Sequence, residues 1–339
     1  MEKVNYFLQQ LINGISCGSI YAMIAIGYSM VYGLLYLVNF AHGDLYVFGT
    51  FIAYSLMISL ASKVHPLICC LIAGIITGGI GIIIERTAYR PVRNANRMVP
   101  MISAFGVALI LKTVAQVIWG PEAIPFESLL PSGSFMVGGM QIYIRAIIIP
   151  LCSLAVVVIM QFVLQKTKMG LGTRDIMQDI QTSSLMGIPT NTIIPGIYAL
   201  GGFLGVFGGV LYCSYYSYIS IDMGMLGTIK AWAVVMLGGV GSFWGAFFGG
   251  IILGIAEAMA GAYVGTAFRD AMGYLIIVFV LMFRPEGLFG VHFAYGTLHE
   301  ECCRDQNLSH QRSITMDKIE LSPTILEIES KAACIFQVI

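Results

Sequence analysis

Long apolar runs, almost free of charge, constrain the fold of this chain more than any other feature. Only 11% of its 339 residues are charged and 58% are hydrophobic, whereas soluble domains carry about 25% charged residues. That leaves too little polar material to cover a soluble core, and backbone groups in lipid must bond within a helix. The sequence predicts an all-α, polytopic membrane helix bundle of about eight to nine transmembrane segments. The runs are 6–30, 44–61, 66–84, 100–119, 143–164, 192–213, 229–239 with 243–262, and 271–283.

Two of the apolar regions are interrupted by short glycine-containing stretches. The run 229–239 would rise only about 16 Å as a helix, too little to cross a hydrocarbon core of about 30 Å. It is followed by GGVGS at 238–242, and a comparable interruption lies at 36–44. We expect broken or re-entrant helices at both places, with the irregular backbone buried against protein or facing a cavity. A helix, a break and a second helix in each half indicate a possible internal repeat.

The first interruption gathers polar residues that are rare elsewhere in the apolar part. YLVNFAHGDLYVFGT at 36–50 contains Asn39, His42, Gly43 and Asp44. In one interpretation Asp44 is the N-cap of a helix over 45–60, Gly43 permits the turn, and the other two bond to free backbone groups. In the other, the break lines a translocation path and Asn39 or His42 moves with a gate. In the second interruption, the candidates for a helix break and a possible translocation path are Gly238, Gly239, Gly241 and Ser242.

Ionisable residues inside apolar runs are functional candidates, because burying a charge in a membrane is costly. Glu257 lies within 243–262. It either belongs to the translocation path or pairs with Lys230 or a backbone amide at the break. Lys112 lies within 100–119, about 12 Å along a helix from Gly120. Its side chain can snorkel to the outer interface, and a role in the path is the alternative.

Glycines recur every four residues in two regions, which places them on one helix face where a neighbouring helix can approach closely. Tight packing within the chain is one interpretation, and a dimer face is the other. The two sets are Gly201, Gly205 and Gly209, and Gly241, Gly245 and Gly249.

Basic residues in the short loops predict the orientation of the chain in the membrane. Loop 85–99 contains four arginines, and loop 165–191 contains two lysines and Arg174, so both should be cytoplasmic. Loop 120–142 contains Glu122 and Glu127 but no basic residue, so it should be external. Counting spans from these loops places the N-terminus outside and the C-terminal tail inside.

The cytoplasmic stretch 166–193, KTKMGLGTRDIMQDIQTSSLMGIPTNTI, is too polar to span the membrane. Ile176, Ile180 and Met186 alternate with acidic and amide residues at helical spacing, which predicts a short amphipathic helix. Helices that lie on lipid usually carry Lys or Arg on the polar face, whereas this one carries Asp and Gln. A docking helix for a soluble protein is favoured, and a merely solvated loop is the alternative.

Several stretches resemble one known family. The stretch 166–193 resembles the coupling segment of ABC-importer permeases, in which an acidic residue is followed some eight residues later by glycine, matching Asp179 and Gly187. Three further stretches resemble the branched-chain amino acid (leucine/isoleucine/valine) permeases, and among them the H-type subunit. They are NGISCGSIYAMIAIGYSMVYGLLYLVNFAHGDLYVFG at 13–49, ERTAYRPVR at 85–93, and VVMLGGVGSFWGAFFGGIILGIAEAM at 234–259, with RPEGLFG at 284–290.

The resemblance implies a permease subunit without catalysis of its own, working by alternating access in the inner (plasma) membrane of a bacterial cell. Its implied partners are a second homologous permease, two cytoplasmic ATP-binding-cassette ATPases, an external substrate-binding protein and the lipid bilayer. No GxxxxGK[ST] phosphate loop is present, so ATP should be hydrolysed by the partners. The residues implied in ATPase coupling are Arg174, Asp179, Leu185, Gly187 and Ile188.

The resemblance covers nearly all of 1–290, which we expect to form the permease domain, with 170–190 as its coupling segment. The tail 291–339 lacks an apolar period and should be polar, cytoplasmic and disordered. We expect no cofactor, no metal and no nucleic-acid partner. Two alternatives stay open: the same type of permease for urea, another amide or another amino acid, and a secondary carrier or channel that uses the glycine breaks as its substrate site.

Overall fold

The computed structural model describes residues 2–35, 39–60, 64–93, 95–96, 98–131, 133–137, 140–283 and 287–289. The tail 291–339 lies outside the described residues. The described part is almost entirely helical, which confirms the predicted all-α membrane bundle. The helices are α1 (Glu2–Leu35), α2 (Ala41–Leu60), α3 (Pro66–Ile84), α4 (Met98–Trp119), α5 (Arg145–Lys166), α6 (Lys168–Gln178), α7 (Ile180–Leu185), α8 (Thr190–Tyr216), α9 (Met223–Gly238), α10 (Phe243–Tyr263) and α11 (Thr266–Phe283).

Seven helices in the described part are long and apolar enough to cross a membrane: α1, α2, α3 with its extension to Val92, α4, α5, α8 and α10. The extension of α3 is a π-helical turn at Glu85–Tyr89 followed by a 3₁₀ turn at Arg90–Val92. Helix α9 is apolar but has only 16 residues, which agrees with a segment too short to cross alone. Helix α11 is also largely apolar and has 18 residues.

Short strands occur in two regions outside the helices. β2 (Ser134–Val137) and β3 (Met140–Tyr143) form an antiparallel hairpin before α5. β1 (Ile124–Pro125) pairs antiparallel with β4 (Tyr218–Ile219). Because β1 follows α4 and β4 follows α8, this pairing places the ends of both helices on one side of the bundle. It is the side that the charge pattern predicts to be external.

The helix contacts repeat between the two halves of the bundle. α1 packs along α10 and α8 packs along α3, while α1 and α8 meet each other at Gly27 and Gly201. α2 packs on α3, α8 and α9, and α9 packs on α10, α1 and α2. Exchanging α1, α2 and α3 for α8, α9 and α10 reproduces these contacts. In this repeat, the break after α1 corresponds to the loop between α8 and α9, so pairing 36–44 with 238–242 was wrong.

Five of the six predicted packing glycines lie at helix contacts within the chain, whereas a Cβ added at Gly241 would meet nothing within 4 Å. A Cβ added at Gly201 would meet the backbone of Gly27, and one added at Gly205 or Gly209 would meet Tyr46. A Cβ at Gly245 or Gly249 would meet the backbone of Gly238 or Val234. The backbones of α9 and α10 therefore approach each other too closely for any side chain at these positions.

The first prediction compares two Gly→Ala substitutions. Gly245→Ala places a methyl group against the backbone of Gly238, which cannot rotate away, whereas Gly106 faces open space. Overpacking costs about 1–3 kcal/mol, so Gly245→Ala should lower the melting temperature of the chain in detergent. Gly106→Ala should leave it unchanged or raise it slightly, because alanine favours a helix. Equal melting temperatures for the two variants would contradict the packing described here.

Candidate functional site

The break between α1 and α2 is held by the side chain of Asn39. Its Oδ1 accepts hydrogen bonds from the backbone N–H of Ala41 at 3.1 Å and from the Tyr89 hydroxyl at 2.5 Å. The backbone N–H of Asn39 donates to the Tyr28 hydroxyl at 3.3 Å. Asn39 is buried, so these partners replace the water that the backbone would otherwise need. The break is thereby tied to α1 and to the π-helical extension of α3.

The expected cap of α2 is in a different place. The helix begins at Ala41, which puts Asp44 in its first turn rather than before it. The prediction that Asp44 is the N-cap of a helix over 45–60 was therefore wrong. The side chain of Asn39 bonds to the N–H of Ala41 instead. A carboxylate in the first turn still interacts favourably with the positive end of the helix dipole.

His42 is buried at the contact between α1, α2 and α8. Its ring meets the ring of Tyr28 edge-on at 5.7 Å and lies close to Gly27 and Gly201. One ring nitrogen bonds to the backbone carbonyl of Ile24. The other, Nε2, has no hydrogen-bond partner within the described part of the chain. His42 thus lies near the middle of α1 and α8, where a small shift of either helix would change its contacts.

Gly43 and Asp44 face α9 rather than α1. A Cβ at Gly43 would collide with the backbone of Gly224 and with the side chain of Thr228. The Asp44 carboxylate lies against Gly224 and is only half-buried. The first turns of α2 and α9 therefore cross in direct backbone contact, and only glycine allows this approach.

The break between α9 and α10 is also stabilised by side-chain hydroxyls. Gly239 and Gly241 have φ of 99° and 78°, which is the left-handed region that favours glycine. The N–H of Gly241 donates to the Ser29 hydroxyl of α1 at 3.2 Å. Ser242 caps α10, because its hydroxyl accepts from the N–H of Gly245 at 3.1 Å. Both breaks are thus anchored on α1.

Residues 287–289 complete the second break. The N–H of Leu288 donates to the carbonyl of Leu237 at 2.8 Å, and the N–H of Phe289 donates to that of Gly238 at 3.0 Å. Gly287 packs on the backbone of Gly239. The last carbonyls of α9 would otherwise lack partners. No local signal in the sequence indicates this contact, because the segment lies some fifty residues further along the chain.

Glu257 lies in a buried ion cluster between α1, α9, α10 and α11. Lys230 of α9 is 3.1 Å from Glu257 and 3.0 Å from Asp270 of α11. The Tyr21 hydroxyl of α1 donates to Glu257 at 2.9 Å and accepts from Lys230 at 3.1 Å. The Glu257 side chain is completely buried. The geometry agrees with the pairing of Glu257 and Lys230.

Arg269 extends this cluster toward the end of α8. Its Nε lies 3.8 Å from Glu257, and its guanidinium donates to the Tyr216 hydroxyl and, at 3.4 Å, to the Cys17 sulfur. Sequence reasoning missed Tyr21, Arg269 and Asp270. The adjacent Arg-Asp pair at the start of an apolar run was the available signal, since such charges need buried partners of opposite sign.

Lys112 lies beside a carboxylate from the loop before α9. Its ammonium is 3.0 Å from the Asp222 carboxylate. The lysine side chain is 33% exposed and the aspartate side chain is 80% exposed. Lys112 therefore lies with Asp222 either at the outer interface or in a polar path.

The polar stretch 166–193 contains two short helices, α6 and α7, that meet at Asp179. Asp179 ends α6 in an extended conformation, and its carboxylate accepts a hydrogen bond from the Thr182 hydroxyl in α7. Gly187, with φ of 85°, ends the segment before α8. One amphipathic helix was expected, but the break at Asp179 divides it. Met186 was expected on the apolar face and is instead 79% exposed.

The implied coupling residues differ in their surroundings. Arg174, Asp179 and Gly187 are exposed, and Leu185 is 87% exposed. Ile188 is half-buried and packs beside Gly172 of α6. Leu185 and the neighbouring Met186 are therefore the most exposed apolar side chains of this segment.

Helix α6 also contacts the end of α1, beside the second break. A Cβ added at Gly33 would lie 2.9 Å from the methyl carbon of Met177 and 3.7 Å from the Cα of Gly241. α6, the end of α1 and the second break thus converge at one glycine. The first break follows α1 by a few residues.

Comparison with known proteins gives a single family. A family model described as the permease component of branched-chain amino acid transport systems matches residues 10–283. The high-affinity branched-chain amino acid transport system permease protein LivH of Salmonella typhimurium strain LT2 is 35% identical over 301 residues, covering 85% of this chain and 97% of the relative. The corresponding BraD of Pseudomonas aeruginosa strain PAO1 is 36% identical, with 86% and 98% covered. LivH of Escherichia coli strain K12 is 35% identical, with 85% and 97% covered.

Removing one member of the buried ion cluster should be far more costly than removing both. Lys230→Met leaves Glu257 buried without its main cation, and breaking a buried pair costs about 3–5 kcal/mol. The double variant Lys230→Met with Glu257→Gln removes that charge and should recover much of the loss. Unfolding in detergent measures both.

Lys166→Met is the matched control, because Lys166 is exposed at the end of α5 and should unfold like the unmodified chain. If Lys230→Met were as stable as Lys166→Met, the cluster would not have the role in stability described here.

A further prediction separates Asn39 from Asp44. Asn39→Ala leaves the Ala41 N–H and the Tyr89 hydroxyl without a buried partner, at a cost of about 1–3 kcal/mol. Asp44→Ala removes only a dipole interaction of about 0.3–1 kcal/mol. The Asn39 variant should therefore melt at the lower temperature in detergent, and the reverse order would restore Asp44 as the cap.

Proposed function

The chain belongs to the family of branched-chain amino acid transport system permease components, and from this we propose that it is the membrane permease subunit of an ATP-binding-cassette importer. Two separate ATPases would drive it, and branched-chain amino acids would be its substrates. The subunit itself would hydrolyse nothing. It would alternate between outward-open and inward-open states when the ATPases close and open.

The observation that best supports ATPase coupling is the exposed apolar tip of the cytoplasmic segment. Leu185 and Met186 are 87% and 79% exposed, more than the other exposed apolar side chains of the segment, Leu171 at 54% and Met169 at 38%. An exposed apolar pair on a short helix costs free energy in water unless a partner covers it. We propose that an ATPase groove receives this tip, with Arg174 and Asp179 at its polar edge and Gly187 and Ile188 completing the turn.

Motion of this tip has a direct route to the breaks. α6 is joined to α7 at Asp179, and Met177 of α6 packs on Gly33 of α1 beside Gly241. A rigid displacement of α6 and α7 would therefore act on the inner end of α1 and on the break between α9 and α10. We propose that the two breaks form the gate, with His42 among the residues whose contacts change.

The remaining gate residues follow from the same contacts. Asn39 and Tyr89 tie the first break to the cytoplasmic end of α3. Gly43 and Asp44 lie against α9. We propose that these positions, together with Gly238, Gly239, Gly241 and Ser242, move relative to one another during transport. Glu257 would instead hold α9, α10 and α11 together as they move.

The proposed assembly contains this permease, a second homologous permease and two cytoplasmic ATPases, and an external binding protein would deliver the amino acid. The location would be the inner membrane of a bacterial cell. We further propose that residues 1–290 form the permease domain with coupling segment 170–190, and that 291–339 is a polar cytoplasmic tail.

Two substitutions test the coupling surface. Leu185→Asp should abolish binding of the ATPases, because it places a charge at the centre of an apolar contact, and it should leave the fold intact because the side chain is 87% exposed. Asp179→Lys should let the complex assemble but uncouple uptake of leucine from ATP hydrolysis. Co-purification and uptake in proteoliposomes measure the two outcomes.

Matched controls use the same positions and elements. Ser184→Asp adds the same charge to α7 one residue earlier, and should disturb binding less. Asp179→Asn keeps an acceptor for the Thr182 hydroxyl and should keep the chain folded and inserted. Full coupling in both Leu185→Asp and Asp179→Lys would refute the assignment of this surface to the ATPases.

A further inference from the structure

The structure contains a second cluster of charges, distinct from the buried cluster around Glu257. It consists of Lys112 in α4, Asp222 at the start of α9 and Asp44 in the first turn of α2. Lys112 and Asp222 form an ion pair at 3.0 Å, and the Asp44 carboxylate faces the same region beside Gly224.

This cluster is open at the surface of the chain. The Asp222 side chain is 80% exposed and that of Lys112 is 33% exposed. Lys112 lies seven residues, or about 10 Å, from the end of α4 at Trp119, and Asp44 lies in a helix whose first turn contacts the middle of α1 and α8 through His42. Lipid is an unfavourable neighbour for such charges, which in membrane helices face a protein interior or a water-filled path.

The cluster has unused binding capacity for a molecule with both signs of charge. The Lys112 ammonium has three N–H donors, and the contact with Asp222 uses one. Within the described part of the chain, no hydrogen bond to the Asp44 carboxylate is found. Two carboxylates around one ammonium suit an α-ammonium group on one side and an α-carboxylate on the other. A zwitterionic amino acid presents both groups on one carbon atom.

An apolar surface continues from the charges along α4. Leu109 and Phe105 lie one and two turns before Lys112 on the same helix face, and both are half-exposed. Phe105 packs edge-on against Phe40, which is also partly exposed. A charged head of mixed sign beside an aliphatic and aromatic surface matches the shape of a branched aliphatic amino acid.

We propose that Lys112, Asp222 and Asp44 form a substrate site on the translocation path of this subunit. The α-carboxylate of the amino acid binds Lys112, the α-ammonium binds Asp222 and Asp44, and the branched side chain lies on Leu109 and Phe105. This proposal rests on the proposed function as a permease for branched-chain amino acids. It names the residues that hold the substrate between the binding protein and the cytoplasm.

The first test uses the double variant Lys112→Met with Asp222→Asn in the full complex with its ATPases and binding protein. Removing both members of the ion pair leaves neither of them without its partner, so a purely structural pair could be replaced without loss. Losing charged hydrogen bonds to the substrate should instead raise the KM for leucine uptake about tenfold or more. Asp44→Asn should raise it in the same direction. Glu127→Gln, an exposed carboxylate in the external loop, is the control and should leave the KM unchanged.

The second test reports binding rather than transport. Gln116 is exposed one turn after Lys112 on the same face of α4. In a background with Cys152, Cys302, Cys303 and Cys334 replaced by serine, Gln116→Cys therefore places a thiol beside the site. A membrane-impermeant thiol reagent should label it in the reconstituted complex, and leucine should slow the labelling. Leucinol lacks the carboxylate and 4-methylpentanoate lacks the ammonium, so each should protect less than leucine. Protection should disappear in the Lys112→Met, Asp222→Asn background.

Three results would overturn the site. The first is an unchanged KM in the double variant. The second is failure of that variant to co-purify with the second permease, which would make the pair part of a subunit interface. The third is a Gln116→Cys thiol that does not react or is not protected, in a complex that transports leucine. If the unmodified complex takes up no leucine, the proposed function fails, and this result is separate from all three.

Discussion

A helix can break inside a membrane only where other protein groups replace water as partners of the freed backbone. In this chain α1 supplies one such group to each break. Tyr28 accepts from the N–H of Asn39, and Ser29 accepts from that of Gly241. The two breaks are therefore tied to adjacent residues on one helix. A movement of α1 acts on both breaks together, and any state in which one of them rearranges must offer its backbone new partners.

Glycine backbone contacts set how the helices around α1 can move. At Gly238 and Gly245, and at Gly43 and Gly224, the backbones are so close that a side chain has no space. Such contacts allow sliding of one helix over another but resist separation. The ion cluster around Glu257 adds to this by joining α9 and α10 to α11. Together these contacts hold α9 and α10 against each other and against α11.

The sequence predicts the helices well and their partners poorly, for a physical reason. The bounds 66–84 agree with α3 because a proline begins the apolar run and charges follow it. The hydropathy of a run and the charge of a loop are properties of residues adjacent in sequence. The helix bundle and the short α9 could therefore be predicted from the sequence. The cap of α2 could not, because the choice between Asn39 and Asp44 depends on Tyr28 and Tyr89, which lie elsewhere in the sequence. The link from 287–289 to α9 and the pairing of Lys112 with Asp222 are equally non-local.

The central claim is that energy reaches this chain from partner ATPases through α6 and α7. The most direct measurement compares leucine uptake into proteoliposomes that contain this chain alone with uptake by the full complex of two permeases, two ATPases and the binding protein. We expect uptake only by the full complex and only with ATP on the side of the ATPases. Uptake by the chain alone, driven by an ion gradient, would contradict it and identify a secondary carrier.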